Sequence, residues 1–276
     1  MLIDTHCHLD AAEFLEDRQE VIQRAGRAGV GAIVIPAVER TNFDAVQNLA
    51  WQFAGGFYAL GIHPIAVPKA QDEDLDYLEQ WVQVALEDER FVCIGEIGLD
   101  FFLPGLKTPA MREKQAVFFD AQLRLAQRYD LPVIVHVRRS QDDILKYLRR
   151  RDGVTGIAHA FNGSFQQAEQ FIAQGFKLGF GGAMTFERSL QIRRLAELLP
   201  LDAIVLETDA PDIPPAWLGR PGGETPRNEP AEVARIGQVL ADLRGISYEE
   251  VVEATGQNAR CILPRISAGP GAASAG

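Results

Sequence analysis

At 276 residues, with 47% hydrophobic and 24% charged positions, the chain has the composition of a soluble globular protein able to bury a large core, which excludes wholesale disorder. Its formal net charge of -11 argues against broad attraction to nucleic acid or an acidic membrane. It leaves room for a local cationic patch, or for acidic ligands offset by a bound cation.

Cys7, Cys93 and Cys261 are widely spaced and include no Cys-x-x-Cys pair, no run is apolar enough to span a bilayer, and Asp4, His6 and His8 stand where a signal peptide would be basic and then apolar. A reducing, cytoplasmic compartment without membrane association is expected.

In chain order, Met1 to Thr5 reads as a short strand, and alternation beyond it would put His6 and His8 on one face with Cys7 turned into packing. Asp17 to Ala28 has helical spacing and Gly29 can end it. Gly31 to Ala37 reads as a strand buried on both faces. The alternation then repeats: helix over Thr41 to Phe53, strand over Phe57 to Gly61, helix over Asp74 to Leu86, strand over Phe91 to Glu96. A long helix follows from Pro109, and Pro132 forbids its extension beyond Tyr129. Next come a strand to His136, a helix to Arg151 with Ser140 as its cap, and a strand over Thr155 to His159. Ser164 opens a helix to Gln174; Phe176 to Phe180, Glu187 to Leu199 and Ala203 to Glu207 continue strand, helix, strand. Asn228 is placed to cap a helix to Leu243, and Ser247 to Thr255 is a further short helix.

Roughly eight strands alternating with helices are most economically a closed (β/α)8 TIM barrel, an α/β fold. A doubly wound open sheet can be built from the same units, but it places its ligand at a strand-order reversal. No composition shift divides residues 1–266, so one domain is expected there, and the stretch 267–276 lacks large apolar residues and reads as a flexible tail.

The polar residues favour the barrel. His6 and His8 follow the first strand, His63 the third, Glu96 ends the fourth, His136 the fifth, His159 the sixth, and Asp209 follows the eighth. All 5 histidines thus sit at carboxyl ends of strands, where barrels carry their active sites. Singly, each residue has an ordinary structural explanation: a loop cap for Glu96, an Asx turn for Asp209, satisfied core histidines for His136 and His159. Together, so many buried ligand-type groups would repel one another or stay unsatisfied without a cation.

These residues fall in segments that closely resemble the TatD-type metal-dependent hydrolases of the amidohydrolase superfamily, from Ile3 to about Pro264. The segments are Ile3-Asp-Thr-His-Cys-His8, Gly61-Ile-His-Pro64, Gly95-Glu-Ile-Gly-Leu-Asp100, Leu131-Pro-Val-Ile-Val-His-Val-Arg138, His159-Ala-Phe-Asn-Gly163 and Leu206-Glu-Thr-Asp-Ala-Pro211. A small departure is Asn162, where relatives often have serine. The resemblance implies a binuclear divalent-metal site, with His6, His8 and Asp209 holding one ion, His136 and His159 the other, and Glu96 bridging. It also implies a DNA substrate, most naturally a DNA end. Metal identity stays open among zinc, magnesium, manganese and iron.

Two ions about 3.5 to 4 Å apart can acidify a bridging water and polarise a phosphoryl oxygen. Asp209 would then orient the attacking water and take its proton. Glu207 shares the inward face and is either a proton relay or a structural support, and Asp4 is positioned to orient His6. His63 is expected to touch substrate, or else to be ordered by the turn at Pro64. Arg138 offers a planar fork for a phosphate, or pairs with Asp100 or Asp4. The basic run Lys146 to Arg151 reads as a solvated helix end facing away from the site. The loop Pro211 to Asn228 carries Arg220 and Arg227, and in it Trp217 either stacks on a base or anchors the loop; Arg188 and Lys177, outside it, are further sources of positive charge that the sequence does not place.

The first functional reading is a deoxyribonuclease that cleaves phosphodiesters at DNA ends. The second is hydrolysis of a carboxylic ester or amide, such as an aminoacyl ester, with the same metals. The third is a non-catalytic partner-binding barrel, which would not require intact ligands at so many strand ends. No obligate protein partner is inferred.

Overall fold

The computed structural model describes residues 1–219, 223 and 225–267, so Arg220 and the stretch read as a flexible tail, apart from Ser267, lie outside the described residues. Eight parallel strands lie in chain order round one sheet: β1 (Leu2–Asp4), β2 (Val30–Pro36), β3 (Gly56–Leu60), β4 (Phe91–Asp100), β5 (Val133–Arg138), β6 (Gly156–His159), β7 (Phe176–Phe180) and β8 (Ile204–Leu206). The seam between β8 and β1 is closed just beyond the strands. Thr5 N–H donates to Leu206 O at 3.0 Å, Asp209 N–H to His6 O at 2.9 Å and His8 N–H to Ala210 O at 2.8 Å. Cys7 and Ala210 form an isolated parallel bridge there, and Cys7 is buried in the apolar core, away from the histidine nitrogens.

The outer ring consists of α1 (Arg18–Arg27), α2 (Phe43–Ala50), α3 (Glu73–Ala85), α4 (Pro109–Arg128), α5 (Gln141–Leu148), α6 (Phe165–Ala173), α7 (Leu190–Leu198) and α8 (Val233–Arg244), followed by α9 (Tyr248–Ile262). None of the described helices is long and apolar enough to cross a membrane. The apolar residues form two layers. One fills the space between strands and helices, with Phe14, Phe43, Phe118, Phe119 and Phe171 fully buried. The other is the barrel interior, where Ile3, Val34, Val92, Ile134, Ile157 and Val205 pack with Ala259, Ile262, Leu263 and Ile266. Thus α9 and the turn after it plug the amino-terminal end, and chemistry is confined to the carboxyl end.

Four local expectations are corrected. Strand β4 continues to Asp100, four residues past Glu96. Ser140 does not cap α5; its hydroxyl donates to Leu99 O at 2.6 Å and ties the end of β4 to the loop after β5. Asn228 does not cap α8, which starts at Val233 after a 3-10 turn; its amide instead donates to Thr208 O, Asp212 O and Ile213 O at 2.8, 2.9 and 3.2 Å. Helix α9 runs seven residues past Thr255 to Ile262, because the Asn258 amide is satisfied by Leu201 O and Ile204 O, each at 2.8 Å, beneath the barrel.

Candidate metal centre

Alternation carries the interior apolar residues up into polar ones. On β5, Ile134 lines the interior and His136 and Arg138 follow it at intervals of two; on β6, Ile157 is followed by His159; after β8, Val205 is followed by Glu207. These side chains, with those of the seam and β4, converge at the base of a cleft of about 1100 Å³.

Glu96, with 1% of its side chain exposed, is the hub. Its Oε2 lies 3.1 Å from His6 Nε2 and 3.5 Å from His8 Nε2; its Oε1 lies 2.9 Å from His136 Nδ1 and 3.3 Å from His63 Nε2. Asp209 Oδ1 completes the floor at 3.6, 3.7 and 3.5 Å from Nε2 of His6, His8 and His159. The ring of His159 stacks on His6 with centroids 3.6 Å apart, whereas the centroids of His136 and His159 are 6.4 Å apart. Three groups of donors therefore lie close enough to share a cation: His6, His8 and Asp209; His6, Glu96 and His159; and His63, Glu96 and His136. Of the two sequence expectations for His63, substrate contact or ordering by the turn at Pro64, the structure shows the second, with Ile65 N–H donating to its Nδ1 at 3.0 Å, while its Nε2 lies 3.1 Å from His136 Nδ1, within the donor cluster.

The outer nitrogens of two imidazoles face carboxylates. His136 turns Nε2 to Asp100 Oδ2 at 3.2 Å, and His159 turns Nδ1 to Glu207 Oε1 at 3.1 Å. Such a carboxylate fixes the tautomer and leaves the inner nitrogen's lone pair for a cation. Glu207 is held in turn by Ala160 N–H at 2.6 Å and occupies the space left by Gly179, where a Cβ would strike its carboxylate. Asp100 accepts Phe102 N–H and Leu103 N–H at 2.8 and 3.1 Å. Asp4 acts through backbone, accepting His6 N–H at 3.3 Å, Thr208 N–H at 2.9 Å and the Thr208 hydroxyl at 2.6 Å, so it fixes the seam rather than the His6 ring.

The electrostatics match that layout. Burial opposes ionisation of Glu96, yet the surrounding imidazoles, led by His63 and His6, hold it well below the usual carboxylate range. Asp209 likewise resists burial, with His159, His6 and His8 bringing it to about 2. Burial pushes His6 and His63 down. At His8 burial is outweighed by Glu96 and Asp209, which raise it to about 9, and at His159 by Glu207 and Asp209. The pocket thus sets ionised carboxylates beside imidazoles, a buried negative charge that a divalent cation would offset. The mixed nitrogen and oxygen set fits divalent cations.

Around the mouth, Arg138 is 47% exposed and makes a marginal 3.8 Å ion pair with Asp100. Several basic residues lie elsewhere. Lys177 donates to Asp202 O at 2.6 Å near the start of β8, so it does not serve the mouth. Arg227 pairs with Asp17 and Glu229 at 2.6 and 2.8 Å. Trp217 donates to Glu232 at 2.6 Å and carries Arg235 over its ring, which makes it a loop anchor. In the basic run after α5, Arg151 pairs with Asp120 and Arg149 with Gln170 on the outer helices.

The family model described as TatD related DNase matches residues 3–264. A metal-dependent hydrolase of Escherichia coli K12, YjjV, is 43% identical over 256 residues, covering 91% of this chain and 93% of that protein. The human deoxyribonuclease TATDN3 is 32% identical over 271 residues, covering 96% and 95%. The crystal structure of the E. coli TatD homologue YjjV superposes with a TM-score of 0.87 at 39% identity, covering 95% of this chain and 98% of that one.

Proposed function

The chain belongs to the TatD-related DNase family, and from that premise we propose that it is a divalent-metal-dependent hydrolase that cleaves phosphodiester bonds, with a DNA end as substrate and two cations at the floor of the cleft. The observation that carries this reading is the convergence of His6, His8, His136 and His159 round Glu96, with Asp209 against His6, His8 and His159, and with Asp100 and Glu207 facing the outer nitrogens of two of the imidazoles. His6, His8 and Asp209 would hold one ion, His136 and His159 the other, and Glu96 would lie between. The imidazoles suit zinc, manganese or iron, and the carboxylates also admit magnesium. Ions held there would supply Lewis-acid polarisation of a phosphoryl oxygen and acidified water.

The chain's own groups do the rest. Asp209, ionised and 15% exposed at the cleft floor, accepts the proton of the attacking water and returns it toward the leaving oxygen. Glu96 supplies the central negative charge that keeps the donor set together. Glu207 holds the His159 ring in position. His63 lines the cleft wall, its Nδ1 accepting Ile65 N–H at 3.0 Å and its Nε2 turned to Glu96, and Arg138 offers its fork at the mouth to a phosphate adjoining the one attacked at the floor.

The same donors would serve a carboxylic ester or amide. The arginines at the mouth favour a substrate carrying phosphate negative charge. A scaffold role leaves the buried donor cluster without a purpose. The test measures metal content, then release of mononucleotides from short single-stranded DNA with magnesium or manganese, beside ester and amide substrates. Folded Glu96→Ala and Asp209→Ala variants should lose the activity. Turnover of an ester with DNA untouched would refute the substrate, and a protein that binds no divalent ion would refute the mechanism.

A further inference from the structure

Phe102, in the loop after β4, is a large aromatic left 40% exposed at the cleft mouth. Two guanidinium groups lie against it, Arg138 at 4.1 Å and Arg139 at 4.7 Å from its ring centroid. Consecutive residues of a strand point to opposite faces, so both arginines should not reach one ring. They do because Arg139 takes a left-handed backbone, φ 55°, which ends the alternation directly after β5. A non-glycine residue held in that region is costly, and such strain collects where a side chain has work to do.

The charge balance is unusual as well. Among the described residues, Arg138 has only the 3.8 Å pairing with Asp100, a carboxylate already engaged by His136 and two backbone amides, and Arg139 makes no ion pair. Two like charges beside one ring repel unless an anion lies between them. Stacking on an aromatic face leaves the donor-bearing edge of a guanidinium open to bind one. Across the barrel, the loops after β1 and β2 line the cleft with Asp10, Glu13 and Glu39. An anionic chain entering the cleft is thus drawn to the β4–β5 side and repelled from the other.

We propose that Arg138 and Arg139, held by Phe102, form a subsite for a second phosphate of the substrate, the one next to the phosphodiester being cut. The assignment rests on the phosphodiesterase reading above and deepens it: the enzyme would select a strand carrying at least one phosphate beyond the scissile one. Phe102 is a positioning residue here, and the arginines make the contact.

The probe is a fluorescently labelled hexathymidylate, bound to the full chain without added divalent ions and titrated at several salt concentrations. Arg139→Ala should weaken binding on the order of tenfold and reduce the dependence of log affinity on log salt by about one phosphate contact. Phe102→Ala should weaken it severalfold, with Phe102→Trp restoring it. Arg150→Ala, on the outer end of α5, should leave it unchanged. Circular dichroism confirms that each variant is folded. If wild type releases nucleotides from hexathymidylate while R139A and F102A bind it as wild type does, or if R150A carries the loss instead, the subsite is overturned and the phosphodiesterase reading survives. If wild type releases no nucleotide but hydrolyses a carboxylic ester, the phosphodiesterase reading fails and the subsite fails with it.

Discussion

Replacing Glu96 with glutamine keeps the shape of the hub and removes its charge. The wild-type carboxylate has four imidazole nitrogens within 3.5 Å, divided between its two oxygens. Without it, the pairs His6–His8 and His63–His136 face one another at 3.2 and 3.1 Å with no central anion. The amide also presents an NH2 group, a donor where the site needs an acceptor. Breaking a buried, hydrogen-bonded charge cluster by removing one member costs about 3 kcal/mol or more. For a domain of this size that corresponds to a Tm lower by roughly 6–12 °C. The effect on metal binding should be larger than on folding. Loss of a central anionic ligand is expected to reduce bound divalent metal well below the wild-type level after dialysis against a fixed metal concentration, and turnover by about 100- to 1000-fold, comparable with losing a principal electrostatic group in other active sites. Metal analysis, thermal unfolding and nucleotide release on the same preparation give the three readouts. An E96Q protein with wild-type metal content and turnover would refute the assignment of Glu96 as the hub.

Further predictions follow from the groups that support the site. Gly179→Ala would push the Glu207 carboxylate off His159 and the Ala160 amide; turnover should fall about 10- to 100-fold with the fold retained by circular dichroism, and unchanged turnover would show that Glu207 does not position His159. Asn228→Ala strips a fully buried amide from Thr208, Asp212 and Ile213, so urea unfolding should show a loss of about 2–3 kcal/mol together with reduced activity; a loss under 0.5 kcal/mol would contradict this. Glu229 accepts from Arg24 at 2.7 Å and from Arg227 at 2.8 Å; burial pushes its pKa up, but the two arginines outweigh burial and lower it. With a folded value below the unfolded one of about 4.3, its stabilisation is complete above that pH and is lost as pH falls through the folded value. Glu229→Gln should therefore lower Tm at pH 7, with the gap to wild type closing in acid; a gap independent of pH would rule out the ionic origin.

The strands were legible because a parallel barrel buries them on both faces, so they read as apolar runs between glycine and proline breaks, and Phe176 to Phe180 coincides with β7. The candidate ligand residues stand out in the sequence by position, each at the end of such a run or just past it. Misreadings arose where a local signal competed with a distant partner. Ser140 and Asn228 carry cap-forming side chains, but Leu99 O and the carbonyls after β8 claim them. The end of α9 was missed because Thr255, Gly256 and Asn258 on its buried side have no apolar periodicity. Asp100 is four residues beyond Glu96 in a recognisable segment, yet its approach to His136 depends on the register of β4 against β5, where Gly98 pairs with His136. The meeting of His63 and His136 depends likewise on ring geometry, since β3 and β5 are not neighbours.

The seam that closes the barrel also carries part of the candidate site. The other seven strand junctions are parallel ladders, three of them with a register shift, whereas β8 and β1, three residues each, meet through the segment from Thr5 to His8 and the segment from Leu206 to Ala210. Those same segments carry His6, His8, Glu207 and Asp209. Asp4 and Thr208 hold the two backbones together by side-chain bonds, and Asn228 holds the second from behind. The shortest strands of the barrel are therefore braced by polar contacts in place of a long ladder, which frees the chain just beyond them to turn side chains inward. Asp209 uses that freedom directly: it adopts a left-handed φ of 57° while its own N–H donates to His6 O. Alternation from Val205 through Glu207 already aims residue 209 inward, and the turn fixes where its carboxylate ends, 3.6 and 3.7 Å from the ring nitrogens of the two histidines that follow β1.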